Sequence, residues 1–414
     1  MINKNKEILI IFFLYCSLFG SLYFGEDSLG GAKHDFEYHK RFIYSFADNF
    51  QFTLINFGYN EFSARNFPTF YILVSLLYKI GLSIDQIRFL NILTVIPFII
   101  IFYKTIDYSE LKIEKKIKYL FVVSLLLSPT VRSLAVWPYP LLWAYLFFLI
   151  SIYYFLRFQK SAILVEKTKY CLLNILFFSI SCYLTPNLSI FVIFYLFYFI
   201  KYFKFSKITL LILFVNFLLA LPAFIFLIKT DFYILKIDYP YPSFNFNYSN
   251  KIILISSLFL FYFLPFISIK KFKNIFDNSN YKYLILLMFF CIINIYFFNF
   301  NNDNYNVGGG IFYALSTKFF DNFYLIYFVF IFSILIIYLF NLININNLIL
   351  FILLIIYNSQ YTIYHKYFDP LLMIIFLLLF KLDKKYINNN KNIGFNYIYL
   401  YIFLLFANAV KNYI

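Results

Sequence analysis

The sequence predicts an all-α polytopic membrane protein with interfacial helices in its first outer loop. Three observations carry that expectation. The chain is 63% hydrophobic and only 13% charged over 414 residues. Its apolar residues gather into repeated runs near the length that a bilayer core demands of one helix, about 20 residues. Those runs, such as "LILFVNFLLALPAFIFLI", lack the alternation of a transmembrane β-strand. In lipid a segment must satisfy its own backbone polar groups, so each run is expected to be an α-helix.

The runs fall near 8–24, 67–82, 86–103, 119–128, 140–156, 170–183, 188–200, 208–228, 251–269, 283–300, 323–340, 347–357, 368–380 and 396–410. Several are short, which gives roughly 11 to 14 crossings. No repeat of fixed period occurs, and no polar stretch is long enough to fold alone. A single transmembrane domain, 1–414, is expected. The opening "MINKNKEILIIFFLYCSLFGSLYF" has no small-x-small cleavage site, so it reads as a retained first helix. Cys16, Cys171, Cys182 and Cys291 all lie in apolar runs with no CxxC pair. They read as small buried hydrophobes, with no disulfide framework or zinc site.

The net charge of +16 has no basic soluble domain to carry it, which excludes a nucleic-acid-binding function. Lysine instead reads as a topology signal. The connections 104–118, 157–169, 201–207, 270–282 and 381–391 are lysine-rich and are expected inside a plasma membrane. The alternating 129–139, 184–187, 229–250, 301–322 and 358–368 are poorer in lysine and are expected outside. Lys4 and Lys6 put the N-terminus inside, so 25–66 forms the first extracytoplasmic loop. One parity problem arises. From 66 to 104 the chain needs an odd number of crossings, yet two apolar runs lie there. Either the 67–82 run, short and opened by Pro68, is re-entrant or peripheral, or the 104–118 connection lies outside against the lysine rule.

On that topology the unusual residues gather outside. His34, His39 and His365 are outer. So are Glu26, Asp27, Asp35, Glu37, Asp48 and Glu61 in the first loop alone, and Arg41, Arg65 and Arg132. Arginine's planar fork suits phosphate and carboxylate, so an outer face that handles an anionic group is expected. Within 36–58, Phe42, Ile43, Phe46, Phe50 and Leu54 recur at roughly helical spacing. That stretch is too polar to span and reads as an amphipathic interfacial helix. Before it stands "GGAKHD", whose glycines permit a tight turn and whose carboxylate is costly at a membrane surface unless used or paired.

These features together resemble the GT-C superfamily of polytopic glycosyltransferases. The likeness lies in a first helix followed by an acidic outer loop, "AKHDFEYH". It continues in "ARNFPTFYILVSLLYKIGLS" with Pro68, Tyr71 and Gly81, in "IRFLNILTVIPFIIIFYKTI" with Arg88, and in "LLLSPTVRSLAVWPYPLLWAYLFFLISIYYFLRF". It covers about residues 1–160. The resemblance implies transfer of a sugar from a polyprenyl-phosphate donor to an extracytoplasmic acceptor: a glycolipid, a cell-surface polysaccharide or a protein. It makes Asp35 the catalytic base. A lipid-phosphate leaving group needs cations as its charge develops, and Arg65, Arg132 and Lys366 are the outer ones near helix ends. Tyr139, beside Trp137, can stack on a sugar. Lys366 with His365 is a phosphate candidate, and Glu37 and His39 are further substrate-binding candidates.

Asp369 before Pro370 reads equally as a helix cap. The loop 299–318, with Asp303 and Gly308 to Gly310, reads equally as a lid over substrate or as a disordered Asn-rich turn. No cofactor is expected and no metal motif such as HExxH occurs. If a divalent cation takes part, Asp35 and Glu37 offer the oxygens that hard cations prefer. Two other functions share parts of this pattern. An O-antigen-type polysaccharide polymerase also has many helices and outer arginines, but carries its largest outer loop late. A lipid-linked glycan flippase would place charges at the midplane of discontinuous helices.

Overall fold

A computed structural model of the protein describes residues 6–58, 62, 64–111, 113–233, 246–268, 281–300, 308–339, 344–382 and 389–411. Regular structure among them is helical, with no β-strand. The chain divides into two compact units, Met1–Ile237 with Gly394–Ile414, and Asp238–Ile393.

The first unit opens with α1 (Lys6–Phe24), α2 (Ala32–Asp48), α3 (Phe50–Asn56) and α4 (Thr69–Lys79). It continues with α5 (Ile84–Leu93), α6 (Val95–Ile106), α7 (Lys115–Leu127), α8 (Pro129–Val136), α9 (Pro140–Lys160) and α10 (Leu164–Leu184). A 3-10 turn, Pro186–Phe191, leads into α11 (Val192–Phe203), and α12 (Lys207–Lys229) follows. The second unit holds α13 (Tyr248–Phe263), α14 (Tyr281–Tyr296), α15 (Gly310–Phe319), α16 (Tyr324–Leu339), α17 (Ile345–Tyr357) and α18 (Leu371–Leu378). The last helix, α19 (Asn390–Lys411), packs Gly394 on Leu120 and Tyr397 on Phe121 in the first unit.

Among the described residues, seven helices are long and apolar enough to cross a membrane, or eight if the bent pair α7–α8 is one span. The expected 11 to 14 are not all full-length. Four other apolar runs form helices of 10–17 residues. α12 and α1 bury little of themselves yet are apolar all round, exposing Leu210, Phe214 and Phe217 or Phe12 and Phe13. Such surface is a liability in water and costs nothing in lipid. α13 is the reverse: almost wholly buried, it packs against α14, α15, α16, α17 and α18.

The parity problem between 66 and 104 has a structural answer. α4 has 11 residues, about 16 Å of helix, half of a bilayer core. It runs along α2 from end to end: Tyr71 stacks on His39 and Tyr78 packs on Tyr44. The chain then turns at Gly81 (φ +98°), and Ser83 and Gln86 form a capping box that starts α5. Arg88 on α5 donates through Nε to the Val136 carbonyl (3.1 Å) and lies over the Trp137 ring (3.9 Å). α5 and α6 together form one candidate span, Ile84–Ile106. Its far end meets the start of α7 and the end of α9, where Lys118 pairs with Asp107 and Lys160 donates to the Asp107 carbonyl. One candidate span therefore lies between the end that holds α2 and α4 and the lysine-rich end.

Single-cysteine variants test this arrangement. Lys33→Cys and Lys79→Cys should label with a membrane-impermeant maleimide from the same side, and Glu110→Cys from the other. Labelling of Lys79→Cys together with Glu110→Cys would mean that α4 crosses.

Candidate functional site

The site begins with a clamp at the end of α1. Glu26 accepts two hydrogen bonds from Arg132 on α8, at 2.8 Å from Nε and 2.7 Å from Nη2. Arg132 also donates to Ser17 (3.1 Å) and Ser21 (2.7 Å), and Ser21 bonds Glu26 in turn. Trp137 Nε1 donates to the Glu26 carbonyl at 2.9 Å. Partial burial pushes the Glu26 carboxyl up, but the bonds and charge of Arg132 and the hydroxyls of Ser21 and Ser28 outweigh it and hold the group below its ordinary value.

The next residue starts α2. The Asp27 carboxylate accepts from the backbone N–H of Gly30 (3.2 Å), Gly31 (2.8 Å), Ala32 (3.1 Å) and Lys33 (3.2 Å). These include the donors that the first turn of a helix leaves unpaired. Gly30 (φ +75°) and Gly31 (φ +119°) adopt the left-handed turn that lets one side chain reach them all. Leu29 N–H donates to Ser133 on α8 at 2.8 Å. The expected helix over 36–58 thus begins earlier, at Ala32, and breaks at Asn49. Asn49 stops α2 and caps α3 by accepting from the Phe52 N–H at 3.0 Å.

The clamp turns Phe36, His39, Phe42, Ile43 and Phe46 into the protein. His39 is 8% exposed. Its Nδ1 shares a 2.7 Å hydrogen bond with the Tyr71 hydroxyl, the two rings stack, and the Tyr139 ring meets the imidazole edge-on. Asp35 lies one helical turn before His39, half-buried, and within electrostatic reach of the Tyr71 hydroxyl, which also bonds the Asn66 side chain. Arg65 is half-buried between Asn66 and Ala64. The Ala64 carbonyl accepts from Tyr233 at 2.6 Å, and a Cβ at Gly58 (φ +106°) would stand 2.4 Å from that same tyrosine ring. A carboxylate beside a bonded imidazole–phenol pair can take a proton and pass on its polarity through the pair.

The eight residues singled out in the sequence separate into distinct groups. Asp35, His39 and Tyr139 come together, with Arg65 next in chain to their partners. Arg132 is committed to Glu26 and the two serines. Glu37 is turned outward and pairs with Lys40 at 2.5 Å. Two residues apart on a helix, Asp35 and Glu37 point about 200° away from each other, so they do not converge on one ion. Among the described residues no group of three or more His, Cys, Asp or Glu is placed to hold a metal.

His365 and Lys366 belong to the second unit. His365 shares a 2.5 Å hydrogen bond with Tyr262. Burial pushes its imidazole below the ordinary value, against the pull of Asp369, so it is neutral at pH 7. Lys366 lies over the rings of Tyr364 (5.4 Å) and Tyr367 (5.6 Å). Asp369 is buried, and the N-cap position of α18 falls on Pro370. Of the expected lid, Asp303 lies outside the described residues. Gly308 to Gly310 are folded, and the Gly309 N–H donates to the Ile363 carbonyl at 2.9 Å.

Sequence reasoning missed Glu26, Asp27 and Asn66 as working residues. The signal for Asp27 was present, since an acid just ahead of a Gly-Gly turn and an amphipathic run is a cap pattern. No family profile, curated protein or solved structure matches the chain.

Glu26→Gln should destabilise the protein by about 2 kcal/mol, less than breaking a fully buried pair because the carboxylate is one-fifth exposed. Thermal unfolding in detergent reads this. The lowered folded pKa means that this contribution is complete above the ordinary glutamate value of about 4.3 and is lost as pH falls through the folded value. The acid-side decline should be shallower in Glu26→Gln than in the wild type.

Proposed function

We propose that this chain is a GT-C-like membrane glycosyltransferase that works on the face carrying α2 and α4. Asp35 accepts the proton of an acceptor hydroxyl as that oxygen attacks the anomeric carbon of a polyprenyl-phosphate sugar. The bond from the anomeric carbon to phosphate oxygen breaks, and the lipid phosphate leaves. His39 and Tyr71 hold Asp35 in a fixed electrostatic setting, Tyr139 offers a ring face at the same place, and Arg65 is the cation assigned to the departing phosphate. Nucleotide sugars are made in the cytoplasm, so a site on the outer face requires a donor carried across on a lipid.

One observation supports this reading above the others. A half-buried carboxylate, Asp35, stands beside the buried His39–Tyr71 pair directly after the first span. A plain interfacial anchor has no use for that grouping, since burying polar groups costs free energy unless they bond or work.

The experiment is transfer from a total polyprenyl-phosphate lipid extract, labelled with tritiated sugar, to membrane acceptors by the purified chain. Asp35→Asn should lower the rate by about a hundred-fold or more, the scale of a lost general base, with an unchanged melting temperature. Tyr71→Phe should cost about ten-fold, the scale of one side-chain hydrogen bond of about 1.4 kcal/mol. Full transfer by a folded Asp35→Asn protein would refute the assignment.

A further inference from the structure

The opposite end of the first unit carries a second polar grouping that the proposed chemistry does not use. Arg157, in the last turn of α9, lies flat over the Tyr170 ring at 4.2 Å. Its Nη2 donates to the Tyr170 hydroxyl, and its Nη1 donates to the Tyr153 hydroxyl at 3.4 Å. Tyr154 stacks on Tyr170, and Tyr108 meets Tyr153 edge-on. Lys160, one turn further on, places its ammonium 5.4 Å from the centre of the Tyr108 ring.

The bonding pattern here is one-sided. A guanidinium has five N–H donors and no acceptor. Two are taken by tyrosine hydroxyls, of which that of Tyr153 also bonds the Tyr108 hydroxyl. The neighbouring carboxylates are engaged elsewhere: Asp107 pairs with Lys118, and Glu166 accepts from Ser161 at 2.8 Å. Among the described residues Arg157 has no carboxylate partner. The remaining N–H donors of Arg157 suit a group made of acceptor oxygens.

Position narrows the anion. α9 has 21 residues, about 30 Å of helix and the thickness of a bilayer core. Tyr139 and the Asp35 grouping stand at its start, and Arg157 stands at its end. An arginine one core-thickness away from the opposite interface sits at the level of lipid headgroups, where basic seats between helices take anionic lipids.

We propose that Arg157, Lys160 and the hydroxyls of Tyr153 and Tyr170 seat the phosphodiester of an anionic phospholipid between the end of α9 and the start of α10. The test is native mass spectrometry of the full chain in detergent with phosphatidylglycerol or phosphatidylcholine. The wild type should retain phosphatidylglycerol in preference. Arg157→Gln should weaken retention about five-fold, the scale of one basic residue at an anionic surface. Tyr170→Phe keeps the ring and should weaken it less. A phosphatidylglycerol bearing a headgroup diazirine should crosslink the wild type within 153–170, a readout that needs no variant. Equal retention of both lipids, unchanged retention by folded Arg157→Gln, or crosslinks confined to other segments would overturn the proposal. Full displacement by millimolar inorganic phosphate would also overturn it, by making the seat one for free phosphate.

Discussion

The ion pair between Glu26 and Arg132 is the joint on which the first unit depends. It ties the end of α1 to α8 immediately after the chain bends by 58° between α7 and α8. With Glu26 fixed, Asp27 is placed to gather four backbone donors and start α2 in one direction only. That direction decides which face of α2 is buried. It brings His39 to Tyr71 and Tyr139 and leaves Glu37 outside. α4 follows α2, and the span α5–α6 then leaves from the same end. Local chemistry over seven residues thus propagates into the arrangement of several helices.

The same unit has a polar cluster at each end. Around α2 the polar groups are acids, histidine and arginine, bonded closely to one another. At the far end they are Lys118, Lys160 and Arg157 with the acids Asp107 and Glu166, Arg157 and Lys160 lying over tyrosine rings. A helix of about 30 Å separates them. Between the ends the packing is carried by aromatic pairs, such as Phe155 with Tyr195 and Phe158 with Phe199. In an apolar solvent such packing, rather than the hydrophobic effect, holds helices together.

Much of the helical plan was legible in the sequence, because long apolar runs leave lipid few alternatives. The turn at Gly30–Gly31 and the inward stripe of Phe42, Ile43 and Phe46 were legible for the same reason, being local and periodic. What was not legible depended on distant partners. Arg132 read as a free cation because its acid lies 106 positions away. Asp35 and Glu37 read as a pair because they are neighbours in sequence, and the helix turns them apart. His39 read as a ligand among many, while its bond to Tyr71 spans 32 positions. The shortness of α4 was legible too, in the short run that opens at Pro68.

The central claim is that the chain transfers a sugar on the face that holds Asp35. Comparison of envelope glycolipids and polysaccharides, by mass spectrometry, from cells with the gene, without it, and with Asp35→Asn tests it most directly. The account predicts that one glycan loses a single sugar residue in both altered strains while the lipid-linked donor accumulates. Identical glycans in all three strains would contradict it.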